Sequence, residues 1–345
     1  MPSVSNHPTV DCPPTYKVTP LFSQSEDGKP LVVPIIASTF NILSNRLVPA
    51  DKQPDVKLAG EYWGKPGESS LKWEPQTAFT KLATDVVLIG HAFSAGQPSV
   101  DVTLGVADLR QTARIFGDRY WIKSLGFISM TPPEPFEKIP LVYERAFGGW
   151  DRSNPDPDKH GFEPRNPIGT GFRCKHGKLE DGIRMPNIEN PKQLLREYGQ
   201  VVPPVGFGFT APDWQPRAKF AGTYGEEWMD NRMPLLPKDF DRKFFNAAPP
   251  ELIAPGYLRG DEAVSIEHAS TRGAISFNLP ALPPPSCRLQ LKGSRDASVE
   301  TKLDTVIINT DEESVTLIWR GYLPLHSGPL DIVTVQVRAE SIAAA

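Results

Sequence analysis

An acidic, proline-containing stretch is the part of the sequence that comes nearest to a metal site. Asp151, Asp156 and Asp158 lie within eight residues, and Ca²⁺ prefers carboxylate oxygens. A calcium-binding EF-hand loop has glycine at its sixth position and glutamate at its twelfth, but this stretch has Asp156 and Phe162 there. We therefore expect a series of Asx turns and no bound metal.

A hydrolase site in the same region is an open alternative. His160 and His176, with Asp158 and Cys174, are the group that most resembles acid–base machinery. The sequence has no zinc-helix histidine pair, no serine on a G-x-S-x-G turn and no glycine-rich phosphate loop. Because loops collect polar residues in any protein, we expect exposed loop side chains here, no catalytic residue and no cofactor. Activity lost in a His160→Ala variant would favour the enzyme.

The middle of the chain is rich in the residue types that dominate protein interfaces. Arg, Trp and Tyr side chains are enriched among residues whose truncation weakens binding. We predict a partner-binding surface that includes Arg145, Asp151, Arg165, Asp213, Trp214, Arg217, Tyr224 and Trp228. The alternative is that the aromatic members fill the core while the charged members fix loops. Since polar loop residues often tolerate substitution, we expect Arg217→Ala and Asp213→Ala to leave the fold intact.

A third hypothesis is a carbohydrate-binding β-sandwich. Aromatic rings offer flat apolar faces, and Trp150, Trp214 and Trp228 would then serve as stacking platforms. Binding to a glycan array in the absence of any protein partner would favour this hypothesis over the protein-binding one.

Composition limits the class of partner and the compartment. The 345 residues carry 37 basic and 41 acidic side chains, and a net charge of −4 argues against nucleic acid as the main partner. No apolar run approaches the roughly 18 residues of a membrane helix, and the first 14 residues lack the pattern of a secretory signal. Three widely spaced cysteines are typical of a reducing compartment. We expect a cytoplasmic protein with no membrane partner.

Alternation of apolar and polar residues predicts strands at both ends of the chain. The predicted strands include residues 31–40 (which begin at a sheet edge because of Pro34), 85–90, 100–106, 113–116, 120–122, 264–266, 275–279 and 332–337. Residues 305–309 and 315–319 flank a polar turn and predict a hairpin. The alternation disappears between residues 146 and 262, where glycine, proline, asparagine and aspartate recur.

The pattern therefore predicts a mainly β fold, a β-sandwich-like antiparallel body. Its middle section is long, loop-rich and proline-rich, and it holds one or two short helices. We expect residues 1–16 to be a flexible tail, residues 17–338 to form a single domain, and residues 339–345 to be frayed. Within that domain, residues 17–145 and 263–338 supply the strands and residues 146–262 wrap over them.

One helix is predicted within the middle section. Asn190 suits the N-cap, Pro191 the first helical position and Gly199 the terminating left-handed position. The side chains of this helix that would face the core are Leu194, Leu195 and Tyr198.

A series of short motifs resembles the family catalogued as domain of unknown function 2169. The segments that carry the resemblance are residues 84–86, 117–119, 143–149, 166–172, 185–189, 204–208, 214–217, 222–224, Trp228 and 244–249. They follow the family's order and span about residues 20–325. The sequence departs from the family at residues 81–83, where Leu82 stands in place of the usual proline.

The resemblance implies an accessory protein of type VI secretion. Members of the family act as adaptor-chaperones that bind a secreted effector, often through its N-terminal or PAAR-linked region, for loading onto the VgrG spike. The resemblance implies no catalytic residue and no cofactor. From it we expect a non-enzymatic, protein-binding function.

Overall fold

The computed structural model describes residues 8–124, 127–174, 181–292, 296–325 and 332–339. His176 of the hydrolase hypothesis lies outside the described residues, as do residues 1–7 and 340–345 of the predicted tails. The structure is mainly β, as the sequence predicts. Among the described residues no helix is both long enough and apolar enough to cross a membrane.

The regular elements described in the first part of the chain, up to residue 140, are all strands. They are β1 (Thr9–Asp11), β2 (Lys17–Gln24), β3 (Pro30–Leu43), β4 (Arg46–Pro49), β5 (Glu61–Tyr62), β6 (Leu71–Trp73), β7 (Asp85–Ile89), β8 (His91–Phe93), β9 (Ser99–Val106), β10 (Leu109–Phe116), β11 (Tyr120–Ser124), β12 (Phe127–Met130) and β13 (Lys138–Pro140).

Where the structure describes it, the middle section contains only two-residue strands, single turns of 3-10 helix and one short α-helix. The strands are β14 (Phe147–Gly148), β15 (Trp150–Asp151), β16 (Gly161–Phe162), β17 (Thr170–Gly171), β18 (Ile183–Arg184) and β19 (Ile188–Glu189). The α-helix is α1 (Glu226–Asn231). The 3-10 turns are Tyr143–Arg145, Pro157–Lys159, Arg217–Phe220, Arg242–Phe245 and Pro250–Leu252.

Longer strands return in the last part of the chain, as the alternation predicts. They are β20 (Ala263–Glu267), β21 (Ile275–Asn278), β22 (Ser286–Leu291), β23 (Ala297–Val299), β24 (Lys302–Asn309), β25 (Ser314–Arg320), β26 (Leu323–Pro324) and β27 (Ile332–Arg338). The predicted hairpin is confirmed, since β24 and β25 pair antiparallel across residues 310–313.

The largest sheet among the described residues has the order β2-β3-β25-β24-β7, with β4 and β26 also paired to β3. Strand β7 joins it parallel to β24, with Asp85 opposite Thr305 and Ile89 opposite Asn309. Strand β3 is interior rather than at an edge, which corrects the prediction from Pro34. Ile35 pairs with Arg320 and Val32 with Leu323, so Pro34 faces the break between β25 and β26, where no ladder donor is needed.

Two further sheets of four or more strands pack with the largest one. One has the order β19-β10-β9-β20-β21 and the other the order β1-β27-β22-β23. Apolar residues from all three sheets form one continuous core, in which Val32, Leu88, Leu104, Ile266 and Leu289 are fully buried. Strand β11 lies in a smaller sheet of order β12-β11-β18, so the predicted turn at residues 117–119 connects two different sheets.

The predicted helix at residues 190–199 does not form. The side chains of neighbouring residues accept the amide protons that a helix would use internally. Glu189 Oε2 accepts from the Leu195 amide at 2.8 Å, and Gln200 Oε1 accepts from the Arg196 amide at 2.8 Å. Leu195 is buried as expected, but in a small cluster with Trp121 and Phe147 rather than on a helix face.

The N-terminal segment is more ordered than a flexible tail. Strand β1 pairs in parallel with β27, from Thr9 opposite Thr334 to Asp11 opposite Gln336. Tyr16 is buried and its ring contacts that of Trp319, with the ring centroids 6.1 Å apart. Residues 9–16 are therefore part of the folded body.

Candidate partner-binding site

Two of the sequence motifs, residues 143–149 and 166–172, fold against each other. Asn166 Nδ2 donates to the carbonyl oxygens of Tyr143 at 2.8 Å and of Phe147 at 3.0 Å. Gly149 has φ +92°, and a Cβ there would lie 2.2 Å from the Gly169 carbonyl oxygen. Only glycine fits such a position, so this part of the motif series builds the scaffold.

Asp85, in the motif at residues 84–86, fixes the motif at residues 244–249. Its Oδ1 accepts from Asn246 Nδ2 at 2.9 Å, and its Oδ2 accepts from the Ala247 amide at 2.9 Å. The same Oδ2 accepts from Lys81 Nζ at 2.8 Å in a fully buried ion pair. A buried carboxylate with three donors holds the last motif against the large sheet.

Arg217 connects the motif at residues 214–217 to the motif at residues 244–249. Its guanidinium pairs with the buried Glu74 carboxylate, and it donates from Nε to the Phe244 carbonyl and from Nη1 to the Thr210 carbonyl, each at 2.8 Å. Trp214 is 3% exposed and meets the Tyr143 ring edge-on, with centroids 5.2 Å apart. The motif residues 143, 214–217 and 244 are thus packed together.

These motifs enclose a cleft of about 430 Å³, which we call the motif cleft. Its walls come from the 3-10 turns Arg217–Phe220 and Arg242–Phe245 and from the segment 248–255. The apolar lining residues include Leu82, Pro216, Phe220, Ala248, Pro250 and Ile253. A cleft of this size and lining suits one or two apolar side chains of a partner.

A second cleft of about 350 Å³ adjoins the motif cleft and shares Thr210, Pro216, Lys219 and Pro250 with it. Its own lining includes the motif residues Pro204, Val205 and Gly206, together with Tyr143. Burial raises the pKa of Tyr143, and its hydroxyl faces the Gly208 carbonyl oxygen at 3.3 Å. The phenol is therefore a neutral, fixed part of the cleft wall.

The predicted surface residues Arg145, Asp151 and Arg165 make contacts within the protein. Arg145 Nη1 donates to Asn187 Oδ1 at 3.1 Å. Arg165 forms a two-pronged ion pair with Glu163 and lines the second cleft. Asp151 is buried, and although burial opposes ionisation, hydrogen bonds from the amides of residues 153 and 174 leave its pKa below the usual range. Asp151 therefore fixes a loop and has almost no surface to offer a partner.

The other predicted surface residues divide into buried and exposed members. Trp214 and Arg217 are buried, which corrects the expectation that Arg217 is a free loop residue. Asp213 and Tyr224 are exposed. Trp228 is half-buried, donates from Nε1 to the Leu235 carbonyl at 2.8 Å and contacts the Tyr224 ring. The structure therefore places Asp213, Tyr224 and Trp228, with Arg165, where a partner can reach them.

The hydrolase and carbohydrate hypotheses gain no support from the geometry. His160 Nε2 bonds the Asn154 carbonyl at 2.9 Å, and Asp158 donates its amide to Asp156 in one of the predicted Asx turns, which are confirmed. Within the described ranges no three His, Cys, Asp or Glu side chains are grouped to hold a metal ion. Trp150 is exposed and stacks on Phe162, but the buried Trp214 offers no face to a sugar.

The cysteines have the electrostatics of structural rather than nucleophilic thiols. Burial raises the pKa of Cys12, of Cys174 and of Cys287, the last to about 12. The nearby Asp151 carboxylate raises the pKa of Cys174 further. A cysteine nucleophile needs the opposite shift, because the thiolate is the reactive form.

Sequence reasoning did not single out three residues that shape the motif cleft. Leu82 is 44% exposed at its lip, and Lys219 and Lys243 lie at its mouth. Leu82 could have been found from the sequence, because it stands where the sequence departs from the family pattern. The lysines adjoin the motifs at residues 214–217 and 244–249, but nothing in their spacing shows that two distant turns meet.

A comparison with protein families identifies the relatives of the chain. No curated protein and no solved structure matches it. The family model described as "Uncharacterized protein conserved in bacteria (DUF2169)" matches residues 27–320, which include strands β3, β4, β7, β24 and β25 of the large sheet. This chain therefore belongs to the DUF2169 family of bacterial proteins.

Proposed function

We propose that the protein is a non-enzymatic adaptor that binds a protein partner through the motif cleft and its neighbour. The observation that carries the proposal is the convergence of the family motifs. The motif residues that line the two adjoining clefts are far apart in sequence: residue 143, residues 204–206, residues 215–217 and residues 246, 248 and 249.

The internal contacts of the clefts support a binding role. The walls are held by buried ion pairs, Arg217 with Glu74 and Lys81 with Asp85, so the clefts are formed before a partner arrives. Preorganised walls reduce the conformational entropy lost on binding. The apolar lining provides the energy of association, and the surrounding polar groups provide orientation.

The partner we propose is a secreted effector of a type VI secretion system. The resemblance of the motif series to adaptor-chaperones of that system supports this choice. The adaptor would hold the effector, through its N-terminal or PAAR-linked region, for loading onto the VgrG spike in the cytoplasm.

Co-purification from the native cytoplasm tests the proposal. The tagged chain should recover an effector polypeptide at a fixed ratio, measured by mass spectrometry and light scattering. Deletion of the adaptor gene should lower the amount of that effector in the cell and abolish its secretion. Unchanged effector abundance and secretion in the deletion strain would refute the adaptor function.

A further inference from the structure

The mouth of the motif cleft holds two lysines that share one aromatic ring. Lys219 Nζ lies 4.9 Å from the centroid of the Phe220 ring, and Lys243 Nζ lies 5.7 Å from the same centroid. All three residues line the cleft. Two like charges placed over one ring repel each other, and an anion between them would relieve that repulsion.

Among the residues that the structure describes, none that lines the cleft is acidic and could neutralise these lysines. Its charged members are Arg217, Lys219 and Lys243. Arg217 is neutralised by Glu74 beneath the surface, whereas Lys219 has no carboxylate within 4 Å among the described side chains. Lys243 approaches only Asp241, at 3.8 Å on an exposed rim, where an ion pair contributes little. The mouth is therefore cationic on a protein whose net charge is −4.

The floor of the cleft limits the way in which a chain segment can bind. Pro216, Pro250 and Pro255 line it, and proline has no backbone N–H to pair with an added strand. These positions offer no backbone donor to an added strand, which favours recognition through side chains placed in the cleft over a ladder of backbone hydrogen bonds. Leu82 and Ile253 provide the apolar contact for such a side chain.

We propose that the motif cleft binds a short acidic segment of the partner, with one apolar side chain on the floor and an adjacent Asp or Glu carboxylate between Lys219 and Lys243. The biological identity of the partner rests on the adaptor function proposed above. The chemistry of the segment follows from the apolar floor and the cationic mouth alone.

Peptide selection tests this chemistry without any knowledge of the effector. A phage library of random heptapeptides is selected on the full chain, on the Lys219→Glu/Lys243→Glu variant and on Lys65→Glu. Lys65 is a matched control, because its side chain is 82% exposed and it lines neither cleft. The unaltered chain and the control should enrich peptides that have Asp or Glu beside an aliphatic or aromatic residue, and the double variant should not.

The affinity of the selected consensus gives the quantitative result. A fluorescein-labelled synthetic peptide of that sequence should bind the double variant at least about tenfold more weakly in fluorescence anisotropy. Its affinity for the unaltered chain should fall as NaCl is raised from roughly 50 to 300 mM. Far-UV circular dichroism melts establish that each variant is folded, and Lys219→Gln/Lys243→Gln replaces the double variant if charge reversal unfolds the chain.

The inference is overturned if the unaltered chain enriches no acidic peptide, or if the double variant enriches the same peptides with the same affinity. The adaptor proposal fails by a different result, since it requires effector co-purification and a deletion phenotype. Peptide binding that survives while the effector assay fails would retain the cleft chemistry and reject the secretion partner.

Discussion

Arg217 and Glu74 form a buried ion pair across 143 residues of sequence. The pair joins the turn Arg217–Phe220 to the segment after β6, and the same guanidinium bonds the carbonyls of Thr210 and Phe244. One side chain thus holds three separate segments around the motif cleft. In the proposed binding function the role of this arginine would be indirect, through the shape of the cleft.

Arg217→Ala is expected to destabilise the protein by about 3–5 kcal/mol, because it leaves the Glu74 carboxylate buried without a partner. Urea unfolding at neutral pH measures the change. Asp213→Ala, at an exposed position in the same motif region, is the control and should change the free energy of unfolding by no more than about 0.5 kcal/mol. An unchanged urea midpoint in Arg217→Ala would contradict the structural role.

Gly149→Ala is expected to cost more than about 2 kcal/mol of stability. The new Cβ would clash with the Gly169 carbonyl oxygen, and φ +92° is unfavourable for alanine. Gly208→Ala is the matched control within another motif, because nothing lies within 4 Å of the Cβ it would add. Thermal melts of both variants make the comparison, and equal melting temperatures would show that the backbone at Gly149 can rearrange.

Strands were predictable wherever a local pattern specifies them. The alternation at residues 100–106 and the apolar run at residues 85–90 both correspond to observed strands, β9 and β7. Their partners were not predictable, because pairing depends on contacts distant in sequence. Strand β7 lies parallel to β24, and β10 and β11 belong to different sheets although a short turn joins them.

The failed helix prediction at residues 190–199 has a tertiary cause. Its capping residues are suitable, and Gly199 does adopt a positive φ of 76°. The Glu189 carboxylate, however, accepts the Leu195 amide and also pairs with the buried Arg119. A side-chain network that includes a residue 70 positions away leaves no trace in the local sequence.

The candidate site was predictable only in part. The motif residues were identified from the sequence, but the pattern could not separate the buried supports, such as Trp214, from residues that face solvent. Lys219 and Lys243 meet at the Phe220 ring because Asp85 and Arg217 hold their two turns together. That arrangement depends on the fold, and neither lysine is unusual by itself.

Acid is expected to weaken the attachment of the turn Arg242–Phe245. The two-pronged hydrogen bond from Arg242 lowers the pKa of Glu26 below its usual range. A carboxylate with a lowered pKa stabilises the fold above its unfolded-state pKa of about 4.3, and that stability is lost as the pH falls through the folded-state pKa. Glu26→Gln should therefore be less stable than the unaltered chain at pH 7, and the difference should shrink below about pH 4.

Urea midpoints between about pH 7 and pH 3 measure this difference. Glu68→Gln is the control, because the ion pair of Glu68 with Lys65 is largely exposed and should contribute little at any pH. A deficit in Glu26→Gln that stays constant across the whole range would mean that the charge of Glu26 does not contribute.

Leu82→Ala should weaken partner binding without changing stability. The side chain is 44% exposed and lines the motif cleft, so a bound partner segment would cover apolar surface that solvent now reaches. Fully burying a leucine side chain contributes about 1.5–3 kcal/mol, so covering the exposed part of Leu82 should contribute roughly 0.7–1.3 kcal/mol, which corresponds to about threefold to ninefold in affinity. Titration of the purified effector by calorimetry, with a urea unfolding curve for each variant, measures both quantities.

Leu58→Ala is the matched control for this experiment, since Leu58 is 42% exposed and lines neither cleft. Both substitutions remove the same atoms from half-exposed positions, so nonspecific loss of apolar surface affects them equally. Only Leu82→Ala should lower the affinity for the effector. Equal affinities of the two variants would place the binding surface elsewhere, and the exposed Tyr224, just before α1, and Met229, within α1, would be the next residues to substitute.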